Sequence, residues 1–190
     1  MLDTLPGRFA YNDDHQAFRQ TVRQFLLKEG VPNVNQWEKD RLVPKKFWRQ
    51  AGEVGMLCPT VPEAYGGLGL DFGYNAIVNE EMAYLGVPAG FTLQSDIVCD
   101  YLVAYGSEEQ KAQWLPRLVS GETITAIAMT EPGTGSDLQS IRTSAVKDGN
   151  HYVINGSKTY ITNGQNADLR WKSTRLNSSH SGESRMPSSA

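Results

Sequence analysis

The sequence predicts an α+β chain in which a helical domain comes first and the opening strands of a β domain follow. Three observations predict it. Apolar residues recur at helical spacing from Ala17 as far as Leu118. Beyond Gly121 the period becomes alternating, over 124–129, 143–147, 151–154 and 157–161. Asp148-Gly149-Asn150 and Asn155-Gly156 then supply the residues that positive-φ hairpin turns require.

In chain order, Asp13 followed by Gln16 resembles a capping box. Ala17, Phe18, Val22, Phe25 and Leu26 continue an amphipathic helix of about four turns, with Gly30 as its C′ stop. Val34, Trp37 and Leu42 can line a short second helix. Pro44 fits the N1 position of a third, which carries Phe47, Trp48, Ala51 and Val54 and ends at Gly55. Residues 57–70 hold prolines and glycines and read as an ordered loop. It is a connector by composition, although Gly66, Gly67 and Gly69 would also let backbone approach something closely.

Asp71 can cap the next helix, whose stripe is Tyr74, Ile77, Val78, Met82 and Leu85. Glu80 and Glu81 lie mid-helix, where a solvated charged face is commoner than a catalytic carboxylate. A helix over 88–105 is apolar on most sides, as central helices are. Gln94, Ser95 and Asp96 interrupt it, as where a helix lines a cavity. Ser107 and Gln110 form a second capping box for a helix over 108–119, which Gly121 ends.

The chain has 190 residues, 39% hydrophobic and 21% charged, ordinary for a folded domain or two. Net charge is −3, but residues 170–190 carry +3, which leaves −6 on residues 1–169. An acidic body argues against nucleic acid as partner. No apolar run is long enough to span a bilayer. Cys58 and Cys99 are too few for a disulfide scaffold or zinc site, and a reducing compartment fits. The N-terminus has neither signal-peptide nor transit character, so a bacterial-type cytoplasm is expected, or the mitochondrial matrix after loss of a leader. His15, His151 and His180 have no metal spacing and no nucleophile partner. After Asp168 the pattern fails. Residues 170–190 are rich in serine and basic residues, and are expected to be a disordered, non-native extension.

Two stretches carry chemistry. In Ala126-Ile127-Ala128-Met129-Thr130-Glu131-Pro132-Gly133-Thr134-Gly135-Ser136-Asp137, a strand ends at Thr130 and Glu131. Pro132, Gly133 and Gly135 then force an irregular turn, expected to present N–H groups and hydroxyls outward without closing a tight hairpin. Such a turn suits a flat, electron-rich cofactor with a phosphate nearby. The second stretch is Asn155-Gly156-Ser157-Lys158-Thr159-Tyr160-Ile161-Thr162-Asn163-Gly164. Read alone, the first is a β-turn with a serine cap, and Tyr160 is a buried strand aromatic.

Together, AMTEPGTGSD and NGSKTYITNG resemble the flavin-binding signature of the acyl-CoA dehydrogenases. The stretch YGSEEQKAQWLPRLVSGE resembles the long-chain-like branch. The resemblance covers about residues 9–168. It implies an N-terminal all-α helical bundle over 9–122, the opening strands of a β-barrel-like middle domain over 123–169, and a C-terminal helical domain missing from this sequence. It implies α,β-dehydrogenation of a fatty acyl-CoA to the trans-2-enoyl-CoA. A base takes the α proton, the β hydrogen leaves as hydride to FAD, and electrons go on to an electron-transfer flavoprotein. It assigns Thr130, with the backbone of Ala128 and Met129, to the charge-bearing edge of the flavin. Ser136 falls to the pyrophosphate and the bound acyl-CoA. Tyr160 stacks on the ring, where tryptophan or phenylalanine is usual, and Ile161 and Thr162 reach its N5 and O4 edge. The general base is a glutamate of the C-terminal domain, so no catalytic residue is named here, and the chain alone is expected to be inactive. The complete protein is expected to be a homotetramer. The alternatives are an acyl-CoA oxidase or flavin monooxygenase of the same fold, or a helical module without cofactor.

Overall fold

The computed structural model describes residues 11–174. The chain divides into two compact units, with the boundary between Ile124 and Thr125.

In the first unit, α1 (Asp13–Phe25) runs through a wide π turn (Leu26–Gly30) and a 3-10 turn (Val31–Asn33) into α2 (Val34–Asp40). Its N-cap is Asn12, not Asp13. The Asn12 side chain accepts the His15 N–H at 2.9 Å, and the His15 ring returns a bond to the Asn12 backbone. Both residues are good cap formers. The choice falls on Asn12 because His15, at N3, is buried with its Nε2 3.1 Å from Asp71. Pro44 sits one place earlier than predicted, as the extended N-cap of α3 (Lys45–Glu53). Asp71 caps α4 (Phe72–Leu85) as expected, accepting from the Gly73 N–H at 2.7 Å.

The loop before α4 is a connector. A Cβ on Gly67 would lie 1.9 Å from the Val61 carbonyl oxygen, so the close approach is to the chain itself. Glu81 belongs to neither sequence reading. It is fully buried, and Arg19 and Arg23 of α1 donate to it at 2.9 and 2.6 Å. The helix expected over 88–105 begins only at Phe91: α5 (Phe91–Leu93), a π turn (Gln94–Val98) and α6 (Cys99–Tyr105). The polar interruption is stitched into the fold. Gln94 donates to the Leu118 carbonyl at 2.9 Å, Ser95 Oγ accepts the Cys58 N–H at 3.0 Å, and Asp96 accepts from Asn75 and Asn79. Its π turn is where the helix widens to let these groups reach their partners. Cys58 and Cys99, distant in sequence, are buried side by side as free thiols.

The last helix of the unit, α7 (Glu108–Val119), has the predicted bounds and the predicted Ser107–Gln110 capping box. Around Phe47 and Phe91 the rings of Phe25, Trp37 and Trp48 pack with centroids 4.6–5.7 Å apart, forming the centre of the core. Gly121 stops α7 at φ +70° and also lets Trp48 close in: a Cβ there would lie 2.2 Å from the Trp48 carbonyl oxygen.

In the second unit, β1 (Thr125–Ala128) pairs in parallel with β4 (Leu169–Lys172), Thr125 opposite Leu169. The antiparallel hairpin of β2 (Ser144–Asp148) and β3 (His151–Asn155) turns at Gly149, φ +59°. Three sequence expectations fail here. Residues 157–161 are not a strand, and Asn155-Gly156 is not a hairpin turn. After β3 the chain runs back to the end of β1, where the Thr159 N–H donates to the Thr130 carbonyl at 3.0 Å. The pattern also does not fail at residue 170. Leu169 and Trp171 are half-buried while Arg170 and Lys172 face out, a period of two that β1 selects by pairing. The rest of the predicted tail, 175–190, lies outside the described residues.

Candidate functional site

The site grows from the end of β1. Ala126 and Ala128 are buried, which fixes the strand, and Met129 then emerges into solvent. Thr130 is half-buried, and Glu131 turns inward. The expectation of an open turn is corrected. Glu131 and Thr134 exchange backbone bonds at 2.9 and 3.0 Å across Pro132 and Gly133, which closes a tight two-residue turn. Thr134 is pinned by its hydroxyl to the Ser140 carbonyl at 2.9 Å. Proline at the first central position presets the turn's φ. Gly133 and Gly135 have negative φ, and a Cβ on either would meet nothing within 4 Å. Neither backbone conformation nor crowding by the chain requires glycine there. The space over these two residues is open.

Inside this turn sits a buried carboxylate. Glu131 accepts the Thr143 hydroxyl at 2.5 Å, the N–H groups of Thr143 and Arg142 at 2.9 and 2.8 Å, and the Lys158 ammonium at 2.9 Å. These donors, the Thr143 hydroxyl foremost and then the Arg142 N–H, hold its carboxyl down to about 2 from an ordinary 4.5. Both members of the Glu131–Lys158 pair are below one-tenth exposed at the side chain. The same ammonium donates to the Met129 carbonyl at 2.9 Å. The two motifs are therefore joined through three consecutive residues: 129 and 131 by Lys158, and 130 by the Thr159 N–H. Asn163, at φ +61°, adds a bond from Nδ2 to the Thr125 carbonyl at 3.1 Å.

This joining decides where the predicted residues lie. The Ala128 carbonyl is taken by the Ser173 N–H at 3.1 Å. The N–H groups of Met129 and Thr130 and the Thr130 hydroxyl donate to no described residue. Tyr160 is neither buried nor in a strand. It is 95% exposed, with φ +55°, a conformation costly for a bulky side chain. Next to it the Thr159 hydroxyl is buried without a hydrogen-bond partner among the described residues. Ile161 is half-buried and its carbonyl accepts the Gly164 N–H at 2.9 Å, while Thr162 is exposed in the same turn. Ser136 is exposed, and within the described residues it makes only a local bond, accepting the Leu138 N–H at 3.1 Å. Thr130 and the 158–160 segment are thus brought together by direct bonds, whereas Ser136 is tied to neither.

Sequence reading missed Glu131, Lys158 and Asn163. A signal existed: Glu131 and Lys158 are opposite charges in two stretches otherwise almost free of charge. Chemically, the arrangement offers N–H and O–H donors unengaged among the described residues, an exposed aromatic ring and a closed turn with clear space over its glycines. That donor set fits a flat, acceptor-rich ring with an anionic extension. Among the described residues no cluster of His, Cys, Asp and Glu could hold a metal ion, and no helix is long and apolar enough to cross a membrane.

Comparison with known proteins identifies two domains. Residues 12–122 match the acyl-CoA dehydrogenase N-terminal domain, and residues 126–187 match the middle domain, past the point where composition changes. The long-chain specific mitochondrial acyl-CoA dehydrogenase of Sus scrofa is 46% identical over 85% of this chain and 38% of its own length. An acyl-CoA dehydrogenase from Geobacillus kaustophilus is 52% identical and superposes with a TM-score of 0.83, covering 86% of this chain and 43% of that one. A glutaryl-CoA dehydrogenase from Mycobacterium smegmatis, solved in complex with FADH2, is 33% identical with a TM-score of 0.77, over 84% of this chain and 42% of that one. The chain spans about two fifths of the length of these relatives. With both domain matches in chain order, the first over more than half of the chain, the chain belongs to the acyl-CoA dehydrogenase family.

Proposed function

We propose that this chain supplies one wall of the flavin site of an FAD-dependent acyl-CoA dehydrogenase that converts a fatty acyl-CoA to its trans-2-enoyl-CoA. Bound FAD supplies hydride acceptance. The chain's own residues hold and polarise. The Met129 and Thr130 N–H groups and the Thr130 hydroxyl meet the edge where negative charge develops, as preorganised donors must. Tyr160 lays its ring against the isoalloxazine, and Ile161 and Thr162 close the opposite edge. Ser136 sits by the pyrophosphate and the acyl-CoA. The α proton goes to a glutamate of the C-terminal domain. Electrons pass to an electron-transfer flavoprotein, and the complete enzyme is a tetramer of identical chains in the bacterial cytoplasm or mitochondrial matrix.

One observation carries this reading: donors with no partner among the described residues stand at Met129 and Thr130, held from behind by the segment that bears the exposed Tyr160. Acyl length is left open, because the relatives include both long-chain and glutaryl-CoA enzymes. The test is FAD titration of a full-length protein carrying these residues. Thr130→Ala removes a charge-assisted bond of about 1.5–3 kcal/mol, so affinity for reduced flavin should fall at least tenfold. Unchanged affinity in both Thr130→Ala and Ser136→Ala would favour the cofactor-free module. Rapid peroxide formation with acyl-CoA and no acceptor would favour an oxidase.

A further inference from the structure

The flavin reading leaves the buried ion pair behind the wall without a task. We propose that Lys158, anchored by Glu131, is a positioning residue that sets the orientation of the Thr130 donor toward the flavin, an inference that rests on the flavin reading above.

The geometry is specific. One ammonium donates to the Met129 carbonyl and to Glu131 Oε1, both at 2.9 Å, and so grips the residues on either side of Thr130. The adjacent N–H, that of Thr159, takes the Thr130 carbonyl itself at 3.0 Å. A peptide plane whose carbonyl is fixed has its N–H fixed in the opposite direction. Fixing the Met129 carbonyl therefore aims the Thr130 N–H, which belongs to the same peptide plane.

Glu131 is itself immobilised by three donors besides the lysine, from Arg142 and Thr143. The clamp has a rigid end in the β2 region and a working end at Thr130. Burial strengthens it, since a pair shielded from water is weakly screened by salt. Oxidised and reduced flavin differ in the charge at the edge the donor faces. A misaimed donor therefore loses more with the reduced form, where the charge sits, than with the oxidised one.

The experiment uses the full-length holoenzyme, with FAD as probe and Lys158→Met, Lys158→Arg and wild type compared. Lys158→Met keeps the buried stem and removes the donor. Its preference for reduced over oxidised FAD should fall about tenfold, a drop of about 30 mV in two-electron midpoint potential, read by spectroelectrochemistry. Lys158→Arg retains a cation that can fork between the Met129 carbonyl and Glu131, and should restore most of the potential. In the flavin-free chain, exchange of the Thr159 amide should accelerate in Lys158→Met only. A Lys158→Met protein that binds FAD at an unchanged potential overturns the positioning role and leaves the flavin reading intact. A potential that falls equally in Lys158→Arg, in step with melting temperature, also overturns it, as a merely structural effect. A wild-type holoenzyme preparation that takes up no FAD refutes the flavin reading, and the role of Lys158 with it.

Discussion

Replacing Glu81 by glutamine probes how the helical unit is held. The substitution keeps volume and changes charge alone. Glu81 has no exposed side-chain surface, and it receives Arg19 Nη1 at 2.9 Å, Arg23 Nε at 2.6 Å and Arg23 Nη2 at 3.2 Å. Loss of one partner of a buried pair costs about 3–5 kcal/mol when the other charge is stranded. Here the stranding is incomplete. The Arg23 side chain is 51% exposed and can turn to water, and Arg19 keeps Glu80 at 2.7 Å. The loss should therefore sit at the low end, about 3 kcal/mol, or roughly 10 °C in melting temperature for a unit of this size. Urea unfolding followed by far-ultraviolet circular dichroism measures it, with Glu80→Gln as the half-exposed control, expected to lose no more than about 1 kcal/mol. If Glu81→Gln is indistinguishable from that control, or if its loss disappears in high salt as a surface pair's would, the reasoning from burial is refuted.

Gly121→Ala should destabilise the helical unit by more than about 1 kcal/mol, because φ is +70° and the new Cβ would lie 2.2 Å from the Trp48 carbonyl oxygen; a melt unchanged within error would contradict this. Phe91→Ala should cost about 3–5 kcal/mol by opening a hole beside Phe47 and Trp48, read as a lower urea midpoint. The pH dependence of the turn follows from Glu131, whose carboxyl is lowered to about 2 from 4.5. A depressed folded value means the stabilisation is whole above about pH 4.5 and is lost as pH falls toward 2. The Thr143 amide, followed by NMR, should hold its shift down to pH 3, and Glu131→Gln should abolish the transition.

Which parts of this were readable in sequence follows from how local their causes are. Both ends of α7 were legible, since a capping box and a following glycine act within a few residues. The cap of α1 was displaced by one residue because a contact between His15 and Asp71, far apart in the chain, chose between two eligible caps. The π turn at Leu26–Gly30 left no trace, because packing and not propensity makes it, and the one at Gln94–Val98 showed only as a polar interruption. The strand read over 157–161 failed for the same reason. Lys158 and Thr159 are pulled to the end of β1, which leaves Tyr160 at positive φ. β4 was hidden by the basic and serine-rich composition around it and emerges only through parallel pairing with β1. The two motifs were visible as strings, but the bond between them spans 27 residues, beyond any local pattern.

The hairpin of β2 and β3 carries a consequence for handling the chain. Val146, Tyr152, Val153 and Ile154 are all exposed, so both faces of a two-stranded ribbon offer apolar side chains to solvent. Within the described residues neither outer edge of the ribbon is paired with another strand. A ribbon of two strands is marginal alone, and open edges with apolar flanks recruit further strands from other molecules. Purified at high concentration, residues 1–190 should assemble through this ribbon, and charges placed at Val146 and Val153 should keep the molecules apart.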